Sequence, residues 1–69
     1  MTNAKIQYLM HEINNYKITL DIINQWLEFK KAMSYEEWRG SHMLIDLLEE
    51  QIELNEEEIQ EEFKKGKGQ

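Results

Sequence analysis

The sequence predicts an all-α protein, an antiparallel helical hairpin of two long helices that dimerises into a four-helix bundle. Three observations predict it. Apolar residues recur at alternating steps of three and four along both halves of the chain, a pattern that places them on one stripe of a helix. A helix start is written in the middle, at Met33-Ser34-Tyr35-Glu36-Glu37-Trp38. Breakers are almost absent: there is no proline, and glycine occurs only at Gly40, Gly66 and Gly68, so a β-rich chain would have nothing to build its turns from.

In the first helix, expected over about 3–32, Thr2 and Asn3 suit the N-cap. Ile6, Ile13, Leu20 and Leu27 then hold one seam position of a heptad and Leu9, Tyr16 and Ile23 the other. Asn14-Asn15 has poor helix propensity but leaves the phase intact. Ile18, Ile22, Trp26, Phe29 and Met33 lie off that seam. A helix with one neighbour needs only one apolar stripe, so this region should meet a second neighbour or form a binding patch.

The turn is expected at 33–34. Ser34 can accept from the N–H of Glu37, and Glu37 can reach back to the N–H of Ser34, forming a capping box. Met33 and Trp38 are placed to staple across it. The second helix, expected over about 35–64, carries Trp38, Ile45, Ile52 and Ile59 at spacing seven, with Leu48 and Asn55 between them and Phe63 beyond. The phase passes through Gly40-Ser41, where a break is the main local alternative. The run around Gly40 also matches a common cleavage-tag remnant, but the heptad crosses it in register. Gly66 suits the end of the helix, with Lys64 and Lys65 complementing its dipole and a frayed tail over 65–69.

A single domain spans 1–69. If the turn is centred between Met33 and Ser34, residues facing each other have numbers that sum to about 67. Lys5 then meets Glu61 and Glu62, Lys17 meets Glu49 and Glu50, and Lys30 and Lys31 meet Glu36 and Glu37. Two helices in one layer cannot cover Ile22, Trp26, Phe29, Leu44, Leu47 and Leu54, and exposed patches of that kind mark interfaces. A homodimer of hairpins is the economical solution, with Ile22, Ile23, Leu44, Leu47, Leu48 and Asn55 at the dimer contact or core. Asn55, a polar seam residue that can fix register, is expected to pair with its symmetry mate or with Asn14.

Charge narrows the function. The net charge of −6 speaks against nucleic-acid binding, whose affinity rests on lysine and arginine. From Asp46 to Glu62 there are nine acids and no base, with Glu49, Glu53, Glu57 and Glu61 at spacing four. With Glu56 they form an acidic face that can dock on a basic or DNA-binding protein; its plainer reading is a solvated helix face. Trp26, Phe29, Tyr35 and Trp38 gather at the turn end, either as a partner-binding knob or as a cap on the core.

Catalytic chemistry finds no foothold. Carboxylates on bundle helices hold metal pairs through Glu-x-x-His spacings that this chain does not have. His11 and His42 fall at different heights, and Ser34 is committed to capping. No cofactor or metal is expected. With no cysteine and no apolar run of the roughly 20 residues that span a bilayer, the chain reads as cytoplasmic, without membrane contact. Its wealth of isoleucine, lysine, asparagine and glutamate is what AT-rich bacterial or phage genomes encode. The expected function is that of a non-enzymatic regulator or adaptor acting by protein–protein interaction, including inhibition of a basic or DNA-binding partner. The alternative is a purely structural, self-associating assembly module.

Overall fold

A computed structural model describes residues 3–67 and shows two helices, α1 (Ala4–Phe29) and α2 (Tyr35–Lys67), joined by a five-residue connector and packed against each other. Among the described residues there is no strand. Asn3 and Lys5 reach Glu62 at one end, and Lys30 reaches Glu37 at the other, so the helices run antiparallel. The body measures 55 × 16 × 12 Å with a radius of gyration of 16.1 Å. A compact chain of this length would have a radius of gyration of about 11 Å. The molecule is therefore a single layer of two rods and not a globule.

Each helix end has a chemical cause. Asn3 caps α1: its backbone is extended and its side chain accepts from the N–H of Lys5 at 2.9 Å. Thr2, the other expected cap, lies outside the described residues. α2 begins with the expected capping box, Ser34 Oγ accepting from the Glu37 N–H at 3.2 Å and the Glu37 carboxylate from the Ser34 N–H at 3.3 Å. Glu36 and Glu37 in its first turn also complement the helix dipole.

Two boundaries differ from the sequence reading. α1 stops at Phe29 rather than near Ala32, so the turn extends well before 33–34. Lys30 leaves helical geometry, its N–H still bonded to the Trp26 carbonyl, while its ammonium lies 4.9 Å from the centre of the Trp26 ring and pairs with Glu37 across the corner. These contacts hold Lys30 outside the helix, and the capping box fixes where the chain re-enters one. At the other end α2 runs through Lys65 and Gly66 to Lys67, where a frayed tail was expected. Gly66 has no positive φ, so it continues the helix instead of terminating it. The expected tail residues Gly68 and Gln69 lie outside the described residues.

The Gly40-Ser41 alternative does not occur. α2 is continuous there, Gly40 has no positive φ, and the Ser41 hydroxyl bonds back to the Glu37 carbonyl at 2.7 Å. The helical phase is preserved, and Ser41, Ile45, Leu48, Ile52, Asn55, Ile59 and Glu62 all turn at least partly away from solvent. They meet Ile6, Leu9, Ile13, Tyr16, Leu20, Ile23 and Leu27 of α1, which are likewise buried or half-buried. Trp38 and Phe63, which the sequence places on or beside this seam, are both half exposed. They stand where the seam runs out at each end of α2.

The register matches the charge pairing at its two ends. Lys5–Glu62, at 3.3 Å, and Lys30–Glu37 both sum to 67. The middle pair is absent. Among the described residues Lys17 makes no ion pair, and it lines a groove with Glu56 and Gln60 instead of meeting Glu49 or Glu50. Its groove is shared with Asn14, Glu56 and Gln60, and Glu56 lies six residues beyond Glu50 along α2.

Candidate functional site

Only two apolar side chains among the described residues are buried, Leu9 at 4% exposure and Ile52 at 9%. Thirteen large apolar residues are exposed, so the surface is where this chain differs from an ordinary small domain. Ile22, Leu44 and Leu47, expected at a dimer contact or core, are exposed at 61%, 45% and 60%, whereas Ile23 and Leu48 are half-buried in the seam. One half of that group is thus seam and the other half outer surface.

Asn55 is the exception within the seam. It is 4% exposed, its carbonyl oxygen accepts from Gln51 Nε2 at 3.1 Å, and its amide nitrogen has no partner among the described residues. The expected bond to Asn14 is not formed. Asn14 lines the groove with Lys17 on one broad face, while Asn55 lines a groove on the other with Tyr8, Glu12 and Leu54. Gln51, one turn back on its own helix, takes the place of the cross-seam partner.

The four aromatics expected to form a knob or cap at the turn end are all exposed, with Phe29 at 82%. They do not close the core of the hairpin. Tyr35 stacks on Trp38 with ring centres 6.4 Å apart, Trp38 tilts against His42 at 4.5 Å, and Trp26 takes the Lys30 ammonium on its face. Trp38 and Tyr35 therefore form one small surface unit and Trp26 with Lys30 another. Phe29 joins neither.

The acidic residues Glu49, Glu53, Glu56, Glu57 and Glu61 are exposed along α2. None of them forms an ion pair among the described residues, and like charges four residues apart repel by a few tenths of a kcal/mol. The ridge is thus a field of unneutralised charge aimed at solvent. Glu62 is different. Its carboxylate accepts from Lys5 and from Asn3 and stands 3.7 Å from Lys65, and those hydrogen bonds hold its pKa below the ordinary value. On α1, partial burial and the Glu12 carboxylate one turn back raise the pKa of the Tyr16 phenol, whose hydroxyl donates to Glu12 at 3.3 Å.

Among the described residues no three histidine, cysteine or acidic side chains converge as a metal site would require. His42 instead packs on Trp38. Among the described residues no helix is long and apolar enough to cross a membrane. The chain matches no family model, no curated protein and no solved structure. The class its geometry defines is the two-helix antiparallel hairpin with a charged edge and an uncovered apolar face.

Proposed function

We propose that this chain is a small, non-enzymatic regulatory or adaptor protein that works by protein–protein contact, as a homodimer of hairpins forming a cytoplasmic four-helix bundle. The observation that carries the reading is the contrast between two buried apolar side chains and thirteen exposed ones. A chain of this size ordinarily needs self-association or a staple to be stable, and it has no cysteine to make one. A second hairpin laid on the first would turn a single layer into a core.

The acidic ridge supplies the second contact. Glu49, Glu53, Glu57 and Glu61 are exposed, and Glu49 and Glu53 lie away from the groove that Glu57 and Glu61 share with Tyr8 and Leu54; the ridge would attract a basic surface such as that of a DNA-binding protein and inhibit it by occupying its phosphate contacts. The rival, a purely structural assembly module, uses the same apolar surface and leaves the ridge as a solvated edge.

Two measurements test this. Light scattering should give twice the chain mass of 8.4 kDa; a mass of one chain at tens of micromolar removes the dimer. Capture of a basic protein should be lost when Glu53, Glu57 and Glu61 are changed together to lysine with helicity retained. If capture is unchanged, or if nothing basic is captured, the structural module is the better reading.

A further inference from the structure

The two helices of the hairpin share one helical phase. Ile23 and Leu27 of α1 lie in the seam, and Ser41 and Ile45 of α2 lie in it 18 residues later. Eighteen residues make five whole turns of an α-helix. If residues 30–34 were helical, both seams would therefore fall on one side of a single continuous rod.

The connector is suited to that change. Residues 30–34 read Lys-Lys-Ala-Met-Ser, with no glycine or proline, and the first four are among the stronger helix formers. The helical ladder is already in place on either side, because the Lys30 N–H reaches the Trp26 carbonyl at 3.1 Å and the Trp38 N–H reaches the Ser34 carbonyl at 3.0 Å. Making the corner helical gives the N–H groups of residues 31–37 carbonyl partners and gives up the two bonds of the capping box in return.

We propose that the hairpin opens at this corner and exchanges α2 with a second copy, so that α1 of each chain packs on α2 of the other and the connector becomes helix. This goes beyond the bundle reading, since the surface involved is the seam itself and no outer face takes part. The seam fixes the occupant: α1 already carries the row of side chains that fits α2 of this sequence.

The register fixes the direction. Lys5–Glu62 and Lys30–Glu37 each sum to 67. Two open rods laid antiparallel about a two-fold axis between Met33 and Ser34 set each residue level with the same partner number on the other chain. Lys5 then meets Glu62 and Lys30 meets Glu37 between chains, and Leu9 and Ile52 keep their burial. Ile22, Trp26, Leu44 and Leu47, which steps of seven place on the broad face of the groove residues Tyr8, Glu12, Gln51 and Leu54, stay exposed in both forms. The two forms thus differ only at the corner and in the entropy of joining two chains, so concentration favours the exchanged one.

Mixed labelling tests this. Equal amounts of unlabelled and heavy-isotope-labelled chain are unfolded together and refolded at high concentration. The dimer fraction is isolated and treated with carbodiimide, which couples Lys5 to Glu62 directly. Exchange gives one light and one heavy partner in about half of the coupled Lys5–Glu62 peptides, the share expected for random pairing of two chains. X-ray scattering of the same fraction gives a longest dimension of roughly 96 Å, the length of a continuous helix from Ala4 to Lys67, in place of 55 Å. Ala32→Pro, which bars helix through the corner, abolishes both signals. Same-label peptides alone, or no dimer fraction at all, overturn the exchange; in the first case the bundle of closed hairpins still stands. Mixed peptides from a particle close to 55 Å long also overturn it, because they place closed hairpins side by side. Mixed peptides at full yield from Ala32→Pro show that the corner is not the hinge, and the proposal falls with it.

Discussion

Lys5 and Glu62 meet at 3.3 Å across the open end of the hairpin, nearly the full length of the molecule from the corner. Asn3, the cap of α1, donates to the same carboxylate at 3.2 Å, so one acid of α2 anchors both the start of α1 and the first cation after it. Glu62 should therefore make acid stability depend on this one group. Its pKa is lowered from an ordinary 4.5, so the folded state binds fewer protons than the unfolded one as the pH falls through that region. The stabilisation is complete above about pH 4.5 and is lost as the pH drops through the depressed value. Thermal melts of wild type and Glu62→Gln should differ most near neutrality and converge as the pH falls below the depressed pKa of Glu62. A constant difference across that range would mean that Glu62 acts through packing alone.

Ser34→Ala removes the acceptor of the capping box and leaves the Glu37 N–H without its partner at 3.2 Å. The expected cost is about 1 kcal/mol, or a fall of roughly 4–8 °C in Tm for a chain of this size. Ser34→Asp, which restores an acceptor, should recover most of it. Equal losses in both variants would show that the serine hydroxyl is not what starts α2.

Gly40→Ala should stabilise. A Cβ at Gly40 meets nothing within 4 Å, and the residue sits in unbroken helix without a positive φ. Alanine is worth about 1 kcal/mol over glycine there. A higher Tm with unchanged helix content by circular dichroism is the expected outcome, and a lower one would place a partner's backbone or side chain against this position.

Asn55→Leu should also stabilise. The wild-type amide nitrogen is buried without an acceptor, and replacing it with an apolar side chain removes a penalty of about 1–3 kcal/mol. Gln51, exposed, can turn to water for its lost partner. Denaturant midpoints give the sign directly. A destabilised variant would mean that the amide has an acceptor in solution.

Much of this architecture is written locally. The capping box at Ser34 and Glu37 needs only four consecutive residues to be recognised, and the seam from Ile6 to Leu27 is a matter of spacing. The register could be read as well, because Lys5 and Glu62 are charged and face each other at the height where the turn puts them. The stop of α1 at Phe29 could not. Residues 30–33 carry no glycine or proline to end a helix, and what holds Lys30 outside it is a ring behind it and an acid seven residues ahead. Asn55 was legible as a seam residue but not as the partner of Gln51, because side-chain direction depends on how the two rods are rotated. The same rotation decides that Tyr8 and Leu54 flank one groove, and without it Ile22, Trp26, Leu44 and Leu47 are four apolar residues on two helices, not one surface.

The short corner has a kinetic consequence. Lys30 and Glu37 are seven residues apart in sequence, whereas Asn3 and Glu62 are separated by 59. Closing the longer loop first would cost about 2 kcal/mol more in chain entropy, so the rods should zip from the bend outward and melt back from their free tips. Amide exchange should slow progressively from Ile6 toward Leu27 and speed up again from Ile45 toward Phe63, a gradient set by connectivity before any difference in side-chain packing is counted.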